Sequence, residues 1–133
     1  MKKQYVMNVF ACTLIAFTLS INSYASDMES DSPSIKDCQK YGDNLVESSG
    51  ESLAEIGESP VDIRRTVDYY CMLGYRAATE AKSPNEIDLW EKASLRELSG
   101  VNFERDKYKA SVIKVVAKMA HSYYENRKAI SQN

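Results

Sequence analysis

The stretch VDYYCMLGYRAA, Val67 to Ala78, decides how the chain is read. Val67, Cys71, Gly74 and Ala78 recur every three or four residues, which places them on one face of a helix. Cys71 sits on that face among three tyrosines, and no second cysteine lies within a turn or two of it. Whether Cys71 is a free thiol or half of a bridge depends on the compartment, and the start of the chain speaks to that.

The sequence opens MKKQYVMNVFACTLIAFTLSINSYA. Lys2 and Lys3 form a positive head, Val9 to Leu19 is an uncharged apolar run, and Ser23-Tyr24-Ala25 supplies small residues before a cut between Ala25 and Ser26. Those are the three parts of a secretory signal peptide, expected over residues 1–25. The run is shorter than the roughly 20 residues that span a bilayer, so no stable membrane anchor is expected after cleavage. Cys12 reads as a small hydrophobe inside the signal, because Phe10 stands where lipid attachment would want a small residue. Two cysteines then remain, Cys38 and Cys71, and in an exported chain two cysteines predict one disulfide. The absence of Cys-x-x-Cys spacing argues against thioredoxin-like chemistry. The expected location is the periplasm or the secreted fraction.

Outward from the quoted stretch the periodicity stays helical and no strand alternation persists. Residues 26–33, SDMESDSP, are acidic and offer almost nothing to bury, so a disordered leader is expected there. A helical domain is expected over 34–130 and a frayed tail over 131–133. Ile35, Cys38, Gly42, Leu45, Ser49, Leu53 and Ile56 mark the first apolar face. Ser59-Pro60-Val61-Asp62 and Ser83-Pro84-Asn85-Glu86 each supply an N-cap, a proline at the first helical position and an acid in the first turn. The helix from Pro60 runs to about Lys82 and buries Ile63, Val67, Cys71, Gly74 and Ala78. The next carries Ile87, Trp90, Ser94 and Leu98 and ends at Gly100, with Val101 folding back on Leu95. Asn102 caps a last helix from Phe103 to about Ile130, with a stripe of Tyr108, Val112, Val115, Met119 and Tyr123, widened by Val116 and Ala120. The prediction is an all-α bundle of four to five antiparallel helices joined by short loops and stapled by one disulfide.

The staple constrains the first helix. Measured from a turn near residue 58, Cys38 is about 20 residues away and Cys71 about 13, a mismatch of roughly 10 Å along straight antiparallel helices. A bridge needs alpha carbons within about 7 Å. Either the two helices cross steeply or the first one breaks, and the serines around Gly50 favour the break.

Charge is distributed unevenly. The whole chain carries −2, and loss of Lys2 and Lys3 leaves 15 basic and 19 acidic residues. Residues 26–63 hold ten acids against two bases, whereas residues 101–133 hold seven bases against three acids. Glu55, Glu58 and Asp62 surround one helix junction and are candidate docking residues for a basic partner. Without arginine–aromatic interleaving the basic half does not predict nucleic-acid binding. Adjacent residues on a helix differ by about 100°, so one member of each of the pairs Tyr69–Tyr70 and Tyr123–Tyr124 must face outward. Tyr69 and Tyr124 are the expected exposed members and candidate binding anchors.

Catalytic constellations are missing from this reading. His121 is the only histidine, and it cannot make a metal site with two bridged cysteines. Ser111-Val112-Ile113-Lys114 matches S-x-x-K but lacks its partner motifs. No glycine-rich phosphate loop occurs. The expectation is therefore no enzyme and no cofactor, but an exported helical protein that binds another protein. An inhibitor or immunity-type factor, or an accessory of a secretion or conjugation machine, has this general build. The alternatives are an envelope stress chaperone opened by acid and an exported toxin. A wide apolar face on the last helix would tolerate a homodimer.

Overall fold

The computed structural model describes residues 33–132, which form four helices and no strand. They are α1 (Pro33–Glu55), α2 (Pro60–Glu80), α3 (Pro84–Arg96) and α4 (Phe103–Ser131). The compact helical unit begins at Asp37; of the unit before it, only the first turn of α1 is described. The expected signal peptide, its cut at Ala25–Ser26 and all of the acidic leader but Pro33 lie outside the described residues. The expected tail is shortened, because Ser131 still belongs to α4.

The helix starts follow from their capping chemistry. Ser59 accepts a hydrogen bond from the Asp62 backbone N–H, and the Asp62 carboxylate accepts one from the Ser59 N–H, a complete capping box ahead of Pro60. Asn102 caps α4 by accepting from the Arg105 N–H at 3.0 Å. Ser83 stands at the N-cap of α3 without a side-chain cap bond.

The expected break at Gly50 does not occur: α1 runs unbroken through it to Glu55. A glycine inside a helix costs only about 1 kcal/mol, which the apolar face of α1 readily offsets. The stop comes at Gly57, which adopts φ +87°. Glu58 N–H donates to Leu53 O at 2.9 Å and Gly57 N–H to Ala54 O at 3.0 Å, the two bonds of a Schellman motif. The sulfurs of Cys38 and Cys71 nonetheless lie at disulfide distance, with alpha carbons 6.2 Å apart. Gly42 lies against Val67 and Arg64 of α2, and Asp43 pairs with Arg64 at 2.9 Å. Only Ile56 to Ser59 lie between α1 and α2. The end of α1 reaches toward α4, where Ile56 O accepts from Arg105 Nη2 at 3.1 Å, and Ile56 to Ser59 carry the chain back to α2.

Two apolar clusters form the core. Cys38, Leu53, Ile63, Val67, Cys71, Tyr108, Val112 and Val116 join α1, α2 and α4, with Trp90 of α3 packed against them. Ala78, Ala81, Ile87, Ala120 and Tyr124 join α2, α3 and α4. The buried face of α2 is Ile63, Val67, Cys71, Gly74 and Ala78, the set predicted from spacing. On α4 the buried face is wider than expected: it adds Ile113, Ala117 and Tyr124, while Val115, Met119 and Tyr123 move to its edge. The reason is that α4 packs against both α2 and α3, so one narrow stripe is not enough. Contacts between α2 and α4 advance together along both helices, Gly74 meeting Val116, Tyr75 meeting Tyr123 and Thr79 O meeting Arg127.

A Cβ added at Gly74 would lie 2.5 Å from Val116 Cγ1 and 3.1 Å from the Trp90 ring. One at Gly50 would meet only Val46 Cγ1 at 3.9 Å. Opposite outcomes are therefore expected for the same substitution. Gly74→Ala overpacks the core and lowers unfolding free energy by about 1–3 kcal/mol. Gly50→Ala raises it by about 0.5–1 kcal/mol through helix propensity. Urea denaturation of the two variants checks both.

Candidate functional site

The junction that carried Glu55, Glu58 and Asp62 in sequence becomes one end of the bundle, where the end of α1, the start of α2 and the start of α4 meet. Its geometry divides the three carboxylates. Glu58 is buried, at 8% exposure, and its Oε1 lies 3.1 Å from Arg105 Nε. The pair is an ion pair without a well-directed N–H, since Arg105 Nε meets no hydrogen-bond criterion. Beyond the positive φ at Gly57, Glu58 turns inward onto α4, which leaves its carboxylate little exposed. Arg105 Nη2 lies where a Gly57 Cβ would come within 3.2 Å, so the glycine leaves room for the guanidinium.

Asp62 is occupied by its cap. The Ser59 hydroxyl donates to its carboxylate at 2.7 Å and the Ser59 N–H at 3.1 Å, and these bonds, the hydroxyl's first, hold its pKa below the ordinary carboxylate value. Glu55 alone of the three is exposed and unpaired. It extends a row that sequence reading missed. Glu47, Glu51 and Glu55 stand at successive i, i+4 positions of α1, all exposed, and none makes an ion pair with a described residue. The spacing was visible in sequence, but only if the helix continued through Gly50.

The aromatic candidates also separate. Tyr69 is 54% exposed and packs edge-on against Tyr70 at 5.1 Å between ring centroids. Tyr124 is 5% exposed, its hydroxyl donating to Lys82 O at 3.2 Å, which corrects its expected outward placement. Tyr123 takes the edge position instead, packed against Tyr75 at 5.2 Å. Val101 does not fold back on Leu95; it is 89% exposed, and Phe103 two residues on is 75% exposed. Gly100, at φ +70°, donates its N–H to Asp106 at 2.7 Å and holds this loop over the start of α4.

Other polar groups serve packing. His121 Nε2 lies 2.8 Å from Asp88 Oδ1 and ties α4 to α3. Arg127 donates to Ala78 O and Thr79 O, satisfying carbonyls at the end of α2, beside an open groove of about 320 Å³ lined by Ala81, Lys82, Tyr124, Arg127, Lys128 and Ser131. Ser111 and Lys114 are both exposed. Among the described residues no group of three or more metal-ligating side chains occurs, and no helix is long and apolar enough to cross a membrane. No family model matches the chain, and neither a curated protein nor a solved structure matches it.

Burial raises the pKa of Tyr75 and of Tyr108 to about 12. For Tyr75 the charge of Asp37 adds to burial; for Tyr108 the Thr66 side chain opposes it, yet the buried Tyr108 hydroxyl has no hydrogen-bond partner of proper geometry. A folded-state pKa above the unfolded value of about 10 stabilises the fold below pH 10, and that stability is lost as pH rises from about 10 to 12. An ultraviolet titration of the native protein should show a late tyrosine step near pH 12 that denaturant moves to about 10, and Tyr75→Phe should reduce its amplitude.

Removing the Glu58 carboxylate leaves Arg105 without its partner. Breaking a fully buried pair costs about 3–5 kcal/mol, and solvent access to the half-exposed Arg105 reduces this to about 1–3 kcal/mol for Glu58→Ala. Denaturant unfolding measures the loss, and Arg105→Ala should lose a similar amount without adding to it in the double variant.

Proposed function

We propose that this chain is an exported, periplasmic or secreted, protein-binding module: a bundle whose consecutive helices run antiparallel, oxidised at Cys38–Cys71 after removal of a signal peptide. It acts by protein–protein interaction, as an inhibitor or immunity-type factor or as an accessory of a secretion or conjugation machine, and without a cofactor. The observation that carries the reading is the row Glu47, Glu51 and Glu55 on α1. Like charges at i, i+4 repel one another, and Glu51 and Glu55 also face the negative end of the helix dipole. No cation stands in the last turn of α1 to relieve them. A row that opposes its own helix and pairs with no described residue is what a docking surface for a basic partner requires, because complementary charge raises the encounter rate and fixes orientation.

Retention of a partner on the immobilised mature domain, from envelope extracts, tests this. The expected result is a basic protein released by salt and not retained by the variant Glu47→Gln, Glu51→Gln, Glu55→Gln. Equal retention by the variant would refute the acidic surface as the docking site.

A second reading, an acid-opened envelope chaperone, is favoured by the capping box of α2: the Ser59 hydrogen bonds hold the Asp62 carboxyl below its ordinary pKa, so what the cap contributes is lost as pH falls through the folded value. It predicts loss of near-ultraviolet circular dichroism together with gained dye binding at acid pH. Unchanged spectra down to about pH 2 would remove it.

A further inference from the structure

Resting on the protein-binding reading, we infer that, in the absence of another basic partner, the acidic row of α1 docks antiparallel on the lysine strip of α4 in a second copy of this chain. Lys107, Lys114, Lys118 and Glu125 are exposed on one line of α4, at steps of seven, four and seven residues. On α1 the exposed line reads Lys40, Glu47, Glu51 and Glu55, at steps of seven, four and four. Steps of four and seven return to the same side of a helix. None of these eight side chains makes an ion pair with a described residue.

Turned antiparallel, the two lines match charge for charge. With Glu51 level with Lys114, Glu47 comes level with Lys118 and Lys40 with Glu125, because steps of four and seven residues, about 6 Å and about 10 Å along a helix, occur in the same order on both. Glu55 then faces Ala110, one turn from Lys107. No other offset, parallel or antiparallel, pairs three of the four in opposite sign, and the best parallel one sets Lys40 against Lys107. Like charges placed opposite each other select against that arrangement. Beyond Lys40 the match ends, since Lys36 would come nearly level with Lys128. Neighbouring charges leave the pattern intact. Arg64, beside α1 on α2, is held by Asp43, while Arg65 and Asp68 add one exposed charge of each sign. Beside α4, Asp88 of α3 meets His121, and the exposed Glu86, Lys92, Arg96 and Glu97 balance one another. Exposed ion pairs are individually weak, so this contact is low in affinity and yields to a partner that also buries apolar surface.

The test is sedimentation velocity of the mature oxidised protein over a concentration series, at about 0.01 M and about 1 M salt, between which the screening length falls from about 30 Å to about 3 Å. Expected is a mass that rises with concentration at low salt and a monomer throughout at high salt. Glu47→Lys/Glu51→Lys and Lys114→Glu/Lys118→Glu, all at exposed positions, should keep the circular dichroism of the fold and each weaken association about tenfold or more, and their equimolar mixture should restore it. Carbodiimide cross-linking of mixed heavy- and light-isotope chains should join Glu47 to Lys118 and Glu51 to Lys114 between chains. A chain that stays monomeric at low salt, association that either variant leaves unchanged, a mixture that stays dissociated, or inter-chain cross-links at other pairs overturns the inference. The docking reading fails separately, when the triple glutamine variant of α1 retains the envelope partner as well as the unsubstituted domain does.

Discussion

The bundle is organised around the absence of a side chain at Gly74. α2, α3 and α4 converge there, with Val116 Cγ1 and the Trp90 ring occupying the volume that any Cβ would claim. Because α2 and α4 approach this closely, the fully buried Val67, Val112 and Val116 join a single cluster from both helices, and Trp90 covers its α3 side. Interiors are packed at crystal-like density, so a missing methyl at one point fixes the separation of helices over several turns on either side. Glycine weakens a helix on its own account. Here the cost falls on a helix with a complete capping box at its start and a buried stripe of five residues, which can bear it.

From that centre the two ends of the bundle are tied by arginines in similar ways. Arg127 donates to the carbonyls of Ala78 and Thr79 where α2 ends, and Arg105 donates to Ile56 O where α1 ends. Helix C-termini leave four carbonyls without partners, and a guanidinium carries enough donors to serve two at once. The difference lies in what else each arginine meets. Arg127 lies over the Tyr124 ring, 6.0 Å from its centroid, so its end is settled within α2 and α4. Arg105 also takes the buried Glu58, so α1, the α1–α2 connection and α4 all depend on one side chain.

Much of this was legible in sequence, and the errors share a cause. Ser59-Pro60 and Ser83-Pro84 marked two helix starts, and the five buried residues of α2 were read correctly, because caps and periodicity are local properties. Gly50 and Gly57 show where local reading stops. Both follow serine- and glutamate-rich stretches, but only Gly57 lies where the chain must adopt a positive φ, and the Schellman bonds of Leu53 and Ala54 depend on the residues after it. Misplacing that stop concealed the Glu47–Glu51–Glu55 row. Tyr123 and Tyr124 exchanged places for another non-local reason: α4 is covered by two helices, so its buried arc turns toward α3 in its second half. The inward turn of Glu58 was invisible because its partner Arg105 is 47 residues away.

The cysteine pair and the acidic row on α1 belong to one energetic argument. α1 is poorly served by its own charges: Glu51 and Glu55 oppose the helix dipole, and Glu47, Glu51 and Glu55 repel one another, at a few tenths of a kcal/mol for each interaction. Its alignment on α2 rests mainly on Cys38, Gly42 and the exposed Asp43–Arg64 pair. An exposed ion pair contributes between nothing and about 1 kcal/mol. A bridge across the 33-residue separation of Cys38 and Cys71 restricts the unfolded chain and contributes about 2–4 kcal/mol. That is several times the electrostatic cost of the row. The bridge thus permits α1 to present a row of carboxylates, unpaired among the described residues, that its own helix would otherwise resist, which connects the cysteine pair to the proposed docking surface.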